Sequence, residues 1–335
     1  MNKNLLVKFA VVAFFPLLSF HSAYPQAGNK EYGVYQYVMQ SVQGTFDEVS
    51  AAIENAAGRR LLAKVDAGAP EDCPYKVRVF VLYDSAYAQQ IMAANRQTGP
   101  FAVVDRINLF EDENGIHVAV VNPHSINRTV LMDDQKYEAM TAAHLQALRN
   151  MISGALQGKA SDKQYGQMRS EGYIGKTMGV MAGGRFDSKL VEQAKVPGGN
   201  WKEVAAKVRQ GLSQKSKQWG MHLIYEVELP AYETVVFGTT GTPMDSKSFS
   251  IVRAGADDAR DKLKCPGLAH AAAYPIEIVV AQDGDAVKVR LVEVMFRMKM
   301  YFEDAGKWAF MKNVRMPGSI QDELGEQVKT ALGTK

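Results

Sequence analysis

Two similar stretches constrain the fold of this chain more than any other feature. The first, residues 101–123, reads FAVVDRINLF, EDENG and IHVAVVNP, which is typical of a strand, a tight acidic turn with glycine and a second strand. A similar stretch follows 170 positions later, where YPIEIVVAQ, DGD and AVKVRLVEV repeat the pattern. A hairpin that occurs twice in this way predicts two related domains in one chain.

A second pair of motifs supports the duplication. Residues 46–49 read FDEV and residues 201–204 read WKEV, at an offset of 155. Thr45 and Glu48 have the spacing of a capping box, so the FDEV motif predicts the start of a helix. Because this offset is shorter than that of the hairpins, we expect that the second copy gained residues in its middle, near 238–247.

Length and composition agree with two globular domains. The chain has 335 residues, of which 47% are hydrophobic and 22% charged, enough to bury two cores. We place the first repeat domain at residues 30–157 and the second at 188–335. Between them, residues 158–187 are rich in glycine and poor in large aliphatic residues, which predicts a connector.

The N-terminus resembles an export signal. Lys3 and Lys8 precede an apolar run at residues 9–20, and small and polar residues follow, so residues 1–27 are predicted to be a signal peptide that is removed. No later stretch reaches 18 uninterrupted apolar residues, and we therefore expect a soluble periplasmic or secreted protein without a membrane span.

Charge and cysteine content exclude some classes of function. Removal of Lys3 and Lys8 leaves 37 of the 39 basic residues against 36 acidic ones, and this near balance argues against nucleic acid as a partner. The cysteines, Cys73 and Cys265, lie one in each predicted domain. In an oxidising compartment they could form a disulfide, although two free buried thiols fit the sequence equally well.

The order of these elements resembles a known family. The predicted elements are, in order, a strand, a helix that begins at FDEV, two strands, a helix, a hairpin that ends near Asn-Pro and a final helix. This order resembles that of the domain of unknown function 302, the TT-seventeen-fifty-one-like family. The resemblance covers residues 44–123 and, more weakly, residues 200–332. It implies an α+β fold of two tandem two-layer α/β sandwich repeats, packed as a pseudo-dimer because family members are dimers. It implies no reaction, since the family has none established.

A methionine-rich segment, residues 295–316, is the most unusual local feature. Thioether sulfur is a soft ligand that suits Cu(I), and Met295, Met298 and Met300 are the candidate ligands. Packing is the competing interpretation, because methionine is a common core residue. Alternating apolar residues predict one buried face of a strand, formed by Val294, Phe296, Met298, Met300 and Phe302.

Other candidate site residues are polar or aromatic. A ligand cleft between the two copies is predicted to use Arg297, Lys299, Tyr301, Trp308 and, from the first copy, His124. The same residues would equally fit a solvated edge. The acidic pairs at 133–134 and 303–304 recur at equivalent positions, where they are predicted to cap helices.

The sequence therefore predicts an exported, soluble, non-enzymatic protein that binds a small molecule or a periplasmic protein. HExxH, GxSxG and CxxCH motifs do not occur, so no catalytic residues and no cofactor are predicted. The alternative is a copper-binding or redox-associated protein that uses the methionine-rich segment. The oligomeric state is left open.

Overall fold

A computed structural model describes residues 30–133, 135–177, 182–256, 260 and 262–334. The predicted signal peptide, residues 1–27, lies outside these ranges. Two antiparallel sheets with helices packed on them make up most of the described chain. None of the helices in these ranges combines the length and apolar character needed to cross a membrane.

The first half of the chain forms the larger sheet and its helices. In chain order its elements are β1 (Tyr32–Val42), α1 (Phe46–Ala57), β2 (Leu61–Asp66), β3 (Val77–Tyr83), α2 (Ser85–Ala94), β4 (Val104–Asp112), β5 (Gly115–Val121), α3 (Pro123–Leu131), α4 (Glu138–Ala155), β6 (Lys159–Ala160) and β7 (Gln164–Arg169). A small separate hairpin, β8 (Ile174–Thr177) and β9 (Ala182–Gly184), leads to the second half.

The second half forms a five-stranded sheet. Its elements are β10 (Leu190–Pro197), α5 (Trp201–Leu212), β11 (His222–Leu229), β12 (Thr234–Thr240), α6 (Thr242–Ala254), β13 (Ile276–Asp283), β14 (Ala286–Val292), α7 (Val294–Phe302), α8 (Lys307–Met311) and α9 (Met316–Leu332).

The two sheets share one topology. The strand order is β2-β3-β4-β5-β1 in the first half and β10-β14-β13-β12-β11 in the second, which is the same order read from the other edge. Strands β4 and β5 and strands β13 and β14 are the two predicted hairpins, and both are antiparallel pairs. The predicted fold of two tandem α+β repeats is therefore confirmed.

Capping side chains mark the first turns of several helices. The side chain of Thr45 accepts a hydrogen bond from the backbone of Glu48, and the Glu48 carboxylate accepts one from the backbone of Thr45, which completes the predicted capping box of α1. Asn200 caps the equivalent helix α5 in the second half. Asn122 and Pro123 end β5 and begin α3, because proline lacks the N–H that a strand would need.

One face of each sheet is covered by two helices of its own half. In the first half, α1 and α4 pack on a core that includes Phe80, Ile107, Leu109 and Val118. In the second half, α5 and α9 pack on each other, with α5 lying over β11 to β13 and α9 against β10. These layers form the two-layer sandwich of each repeat.

The opposite faces of the sheets meet each other through short helical segments. The 3-10 helix Gly99–Ala102 of the first half packs on β12 and β13 of the second half. Reciprocally, the 3-10 helix Pro266–Ala273 of the second half packs on β3, β4 and β5. Each half thus covers the inner face of the other with the same element, which is the reciprocal contact of a pseudo-dimer.

Part of the predicted connector belongs to the first sheet. Strands β6 and β7, which lie within residues 158–187, both pair with β1 in antiparallel orientation. They extend the sheet at the edge next to β1, where the second half has no counterpart in the described residues. Glycine and polar residues in this stretch therefore did not prevent strand formation, since the exposed edge of β1 supplies the missing hydrogen-bond partners.

The predicted strand at residues 294–302 is wrong, because this segment is helix α7. Its buried residues occupy several sides of the helix and include Val294, Phe296, Met298 and Met300. A helix enclosed on most sides has apolar residues at almost any spacing, so an apparent period of two does not identify a strand. The segment also has few β-branched residues, whereas methionine, lysine and arginine favour helices.

The predicted position of the extra residues in the second copy is also wrong. Residues 238–247 contain the end of β12 and the start of α6, which match the end of β3 and the start of α2. The additional residues instead lie from α6 onward: the connection to the 3-10 helix Pro266–Ala273 spans 255–265, compared with 95–98 in the first copy, and both α6 and this 3-10 helix are longer than their counterparts α2 and Gly99–Ala102. An insertion there lengthens a connection without changing the strand order.

A disulfide and a buried carboxyl group connect the two halves. Cys73 and Cys265 form a disulfide, with their Cα atoms 6.0 Å apart. Nearby, the Asp245 side chain is buried and accepts hydrogen bonds from the backbone of Gly68 at 3.2 Å and from the hydroxyl of Thr240 at 2.7 Å. Burial raises the pKa of Asp245 to about 7, although these two hydrogen bonds partly offset the effect.

The raised pKa of Asp245 predicts a pH dependence of stability. The folded protein holds a proton on this carboxyl between about pH 4 and 7, where the unfolded chain has lost it, so stability falls as pH rises through this range. At about pH 4, Asp245→Asn should have the same free energy of unfolding as the wild type. Above about pH 7, its free energy of unfolding should be higher than that of the wild type by roughly 4 kcal/mol.

Urea unfolding at both ends of that range measures the effect. Asp162→Asn, at an exposed position, serves as the matched control and should leave stability unchanged at both ends. An equal effect of Asp245→Asn at both ends would contradict the assignment.

Candidate functional site

An ionic cluster lies at the centre of the contact between the two halves. Glu277 of β13 is 4% exposed and lies between Arg106 of β4 and Arg297 of α7, which are each 3% exposed. One Glu277 oxygen is 3.2 Å from a terminal nitrogen of Arg106, and the other is 3.3 Å from one of Arg297. Arg106 and Glu277 occupy the same position in their respective strands, counted from the hairpin turn.

Backbone carbonyls and an aromatic ring complete this cluster. Arg106 donates to the carbonyls of Ala273 and Pro275 at 3.1 and 3.3 Å, and Arg297 donates to that of Pro275 at 2.5 Å. Both guanidinium groups lie over the ring of Tyr301, at 4.9 and 4.8 Å from its centroid. The cluster has two guanidinium groups but one carboxylate, so these contacts stabilise the positive charge that Glu277 does not neutralise.

A second buried cluster joins a histidine, an aspartate and an arginine. The Nε2 atom of His270 is 3.1 Å from an oxygen of Asp304, and Arg260 pairs with the same carboxylate. Burial alone would raise the pKa of Asp304, but His270 and Arg260 outweigh it and hold the pKa below its usual range. Asp304 is therefore a buried ion-pair partner, and the predicted helix-capping role for this residue is wrong.

The arrangement around His270 does not favour catalysis. The His270 side chain is fully buried, and the rings of Tyr35, Tyr165 and Phe302 pack around it. A general base must reach the proton that it removes from a substrate. His270 lines neither the apolar pocket nor the polar cleft described below, and its pair with Asp304 connects elements of the second half.

An apolar pocket lies on the other side of α7, where α8 packs near it. Its volume is about 90 Å³. Thioether, aromatic and aliphatic side chains form most of its wall, and charged groups lie among them. The lining residues are Ala182, Met295, Met298, Lys299, Phe302, Glu303, Gly306, Lys307, Phe310, Met311 and Val314.

Helical geometry brings this lining together. Met295, Met298 and Phe302 are spaced three and then four residues apart on α7, so they project from one face. Gly306 has φ +76°, a left-handed conformation that favours glycine, and it turns the chain into α8. This turn places Phe310 and Met311 opposite the α7 face.

Polar contacts fix the charged part of the wall. The ammonium group of Lys299 donates to the carbonyl of Gly175 and lies 3.2 Å from the Glu303 carboxylate, which also pairs with Arg169 at 3.0 Å. Lys307 is exposed and forms no ion pair within the described residues. It is therefore a cation at the pocket that remains available to a ligand.

The structure separates the residues predicted to bind a ligand. Lys299 lines the pocket, whereas Arg297 and Tyr301 lie in the buried ionic cluster on another side of α7. Trp308 is 83% exposed, directly after Lys307. His124 is in the first half, stacked on Tyr32 with ring centroids 4.3 Å apart.

The surroundings of His124 are those of a local ion-pair cluster. Its Nδ1 atom is 3.3 Å from the Glu138 carboxylate, which also lies 3.6 Å from Arg128. Burial lowers the pKa of His124, and the Glu138 carboxylate opposes this shift. His124 therefore does not share a pocket with the candidate residues of the second half.

The predicted methionine ligands are also divided. Met295 and Met298 line the apolar pocket, whereas Met300 is not part of its wall and is buried in the core. The pocket contains a third methionine, Met311, which the sequence analysis did not select. Among the described residues, no group of three or more His, Cys, Asp or Glu side chains is arranged to hold a metal ion.

A polar cleft lies between the two halves and is a second candidate surface. It has a volume of about 370 Å³ and contains Arg96 from the first half and Lys288 and Arg290 from the second. Both second-half cations pair with Asp283, at 2.8 and 2.5 Å. The apolar pocket is the stronger candidate, because ligand sites combine an apolar wall with a few available polar groups.

Only three of the eleven residues that line the pocket, Met295, Met298 and Lys299, were among the predicted site residues. Phe302 was missed because residues 294–302 were interpreted as a strand. The α8 residues Lys307, Phe310 and Met311 lie beyond that stretch and reach the pocket only through the turn at Gly306. In a helix, which has 3.6 residues per turn, residues 295, 298 and 302 lie on one face. A helical interpretation of the segment would therefore have grouped Phe302 with the two methionines.

Comparisons with known proteins place few constraints on this site. No protein-family model matches the chain, and no curated protein matches it significantly. Among solved structures, it is similar to the crystal structure of an uncharacterized conserved protein DUF302 from Bacillus stearothermophilus. That match has a TM-score of 0.29 and 11% sequence identity, and it covers 37% of this chain and 95% of that chain. Membership in the family stays a prediction.

The ionic cluster predicts a large effect of one substitution. Glu277→Gln leaves two buried guanidinium groups without their carboxylate, so the free energy of unfolding should fall by roughly 3–5 kcal/mol. Urea unfolding at neutral pH measures the difference.

Glu228→Gln is the matched control. Glu228 is half exposed and lies 3.8 Å from Arg209, so its loss should cost less than about 1 kcal/mol. If the two variants lose similar amounts of stability, Glu277 does not have the structural role inferred here.

Proposed function

We propose that this protein is an exported, non-enzymatic binding protein whose pocket beside α7 and α8 takes a small amphiphilic acid. The observation that supports the proposal best is the lining of the pocket. Met295, Met298, Phe302 and Phe310 offer apolar contact, and Lys307 offers an unpaired cation beside them. A ligand with an apolar end and an acidic group matches both features.

The size of the pocket restricts how the ligand binds. A volume of about 90 Å³ is smaller than the cavity of about 150 Å³ that admits benzene in an engineered protein. Only the apolar end of a ligand would therefore enter. The acidic group would remain at the mouth, where the side chain of Lys307 is exposed to solvent.

Straight-chain carboxylates of increasing length test the proposal by isothermal titration calorimetry. Affinity should increase by up to about 0.8 kcal/mol for each methylene group until the pocket is full. Lys307→Met should weaken carboxylates while leaving alcohols of the same length unaffected, because only the carboxylate interacts with the cation. Lys207→Met, at an exposed position on α5, is the control for the lost charge.

A second variant tests the location. Met295→Glu introduces a carboxylate into the wall and should abolish binding of every chain length. Met168→Glu is the control, since Met168 is 40% exposed and does not line the pocket. Binding that is unaffected by Met295→Glu, or no binding of any acid in the series, would refute the proposed site.

Copper binding is the second candidate function, and one observation favours it. Met295, Met298 and Met311 all line the same pocket, and three thioethers form a ligand set that suits Cu(I). This set differs from the sequence prediction, since Met311 replaces Met300.

Substitution by leucine separates the two candidates. The triple variant with leucine at these three methionines keeps the apolar wall but removes every thioether. In anaerobic Cu(I) titrations, a metal site predicts stoichiometric binding to the wild type and none to this variant. Acid binding that survives in the triple variant, with no Cu(I) bound by either protein, would eliminate the copper candidate.

A further inference from the structure

An exposed aromatic side chain adjoins a set of unpaired cations beside the pocket. Trp308 on α8 is 83% exposed, compared with 44% for Tyr173 and 40% for Met168, the other exposed large apolar side chains within the described ranges. Large exposed aromatic residues are unusual on a surface that contacts only water. Trp308 therefore requires an explanation that the pocket does not provide.

The cations around Trp308 form what we call the basic-aromatic patch. It is defined by Lys247, Lys307, Trp308, Lys312 and Arg315. All five residues are exposed, and none of the four cations forms an ion pair within the described ranges. Lys247, Lys312 and Arg315 line one open groove of about 330 Å³, and no acidic residue contributes to its wall.

Backbone geometry explains why these side chains lie together. The backbone N–H of Lys312 donates to the carbonyl of Trp308 at 3.2 Å, so the two residues are one helical turn apart. Further turns lead to Arg315, where α9 begins. The partly exposed Met311 and Val314 lie in the same segment, so apolar and basic groups face solvent side by side.

Two described acidic side chains near the patch, Glu303 and Glu323, are engaged with other groups. Glu303 pairs with Arg169 and Lys299. Glu323 accepts hydrogen bonds from the backbone of Gln218 and Trp219. Counted over the described residues, the patch therefore has a local excess of positive charge, in a protein whose overall charge is nearly balanced.

We infer that the basic-aromatic patch docks on the surface of a lipid bilayer that contains anionic lipid. An indole ring places its apolar body and its polar N–H at the level of the lipid headgroups. Lysine and arginine beside it attract anionic headgroups, and partly exposed aliphatic residues add apolar contact. Charge complementarity favours an anionic bilayer as the partner of the patch, because its four unpaired cations can contact several negative headgroups at once.

The inference does not depend on what the apolar pocket binds. The two sites adjoin, since Lys307 belongs to both, and a docked protein would hold the pocket close to the headgroups. An amphiphile could then move between bilayer and pocket without crossing water. Variants at Trp308 and Met295 separate docking from ligand binding.

Vesicle flotation tests the docking. The protein is purified from the exported fraction, and intact mass confirms removal of the predicted signal peptide, whose apolar run would itself bind lipid. Phosphatidylcholine vesicles with and without phosphatidylglycerol are compared. The wild type should bind the anionic vesicles only, less strongly as salt increases, with a blue shift of tryptophan emission. Trp201 is buried and Trp219 partly buried, so the shift would report Trp308.

Two variants and one control define the expected changes. Each basic residue near a membrane surface contributes a factor of about five to binding, so Lys312→Ala with Arg315→Ala should weaken it roughly 25-fold. Trp308→Ala should weaken it by about ten-fold and remove the emission shift. Lys195→Ala with Lys207→Ala removes two exposed lysines elsewhere and should leave binding unchanged.

Three outcomes would overturn the inference. The first is no binding to vesicles that contain phosphatidylglycerol. The second is equal binding by the wild type and the patch variants. The third is Trp308-dependent binding to immobilised polyglutamate without binding to vesicles, which would identify an acidic protein surface as the partner. Met295→Glu should still bind the anionic vesicles, weakened by no more than the factor of about five expected for one added charge, so failure of the proposed pocket would leave this result intact.

Discussion

The contact between Glu277 and the two arginines Arg106 and Arg297 is the constraint on which the arrangement of the halves depends. All three groups are buried. Burial of one of these charges without its partners would destabilise the fold strongly. Their geometry is satisfied only when the inner faces of β4 and β13 meet in this orientation. The cluster thus specifies how two apolar surfaces, which have little directional preference of their own, come together.

Covalent duplication explains why such a cluster can exist on the pseudo-symmetry axis. Arg106 and Glu277 hold the same position in the two hairpins. In a dimer of identical chains, each residue on the axis would meet its own copy, so that arginine would face arginine. Fusion of the copies allows one to carry the cation and the other the anion. The 3-10 helices Gly99–Ala102 and Pro266–Ala273, by contrast, retain the reciprocal packing of a symmetric pair.

The candidate site lies at one of the places where the two copies differ. In the first half, the connection from α3 to α4 spans only residues 132–137. The equivalent connection in the second half contains α8, and it supplies one wall of the pocket and the exposed Trp308. Buried histidine–carboxylate pairs, by contrast, occur in both halves, as His144 with Asp105 and His270 with Asp304. These pairs connect elements within the protein, so a buried histidine is not a reliable indication of catalysis here.

The sequence by itself determined the α+β class, the duplication, the hairpins and the capped helix starts, because these follow from local spacing and from side chains that bond to neighbouring backbone. It could not determine that α7 is a helix, since burial on most of its sides removes the periodicity that distinguishes helix from strand. Nor could it pair Arg106 with Glu277, or bring Met311 to Met295. Those contacts join residues far apart in the chain or across a turn, and only the packing of the two halves and of α8 on α7 decided them.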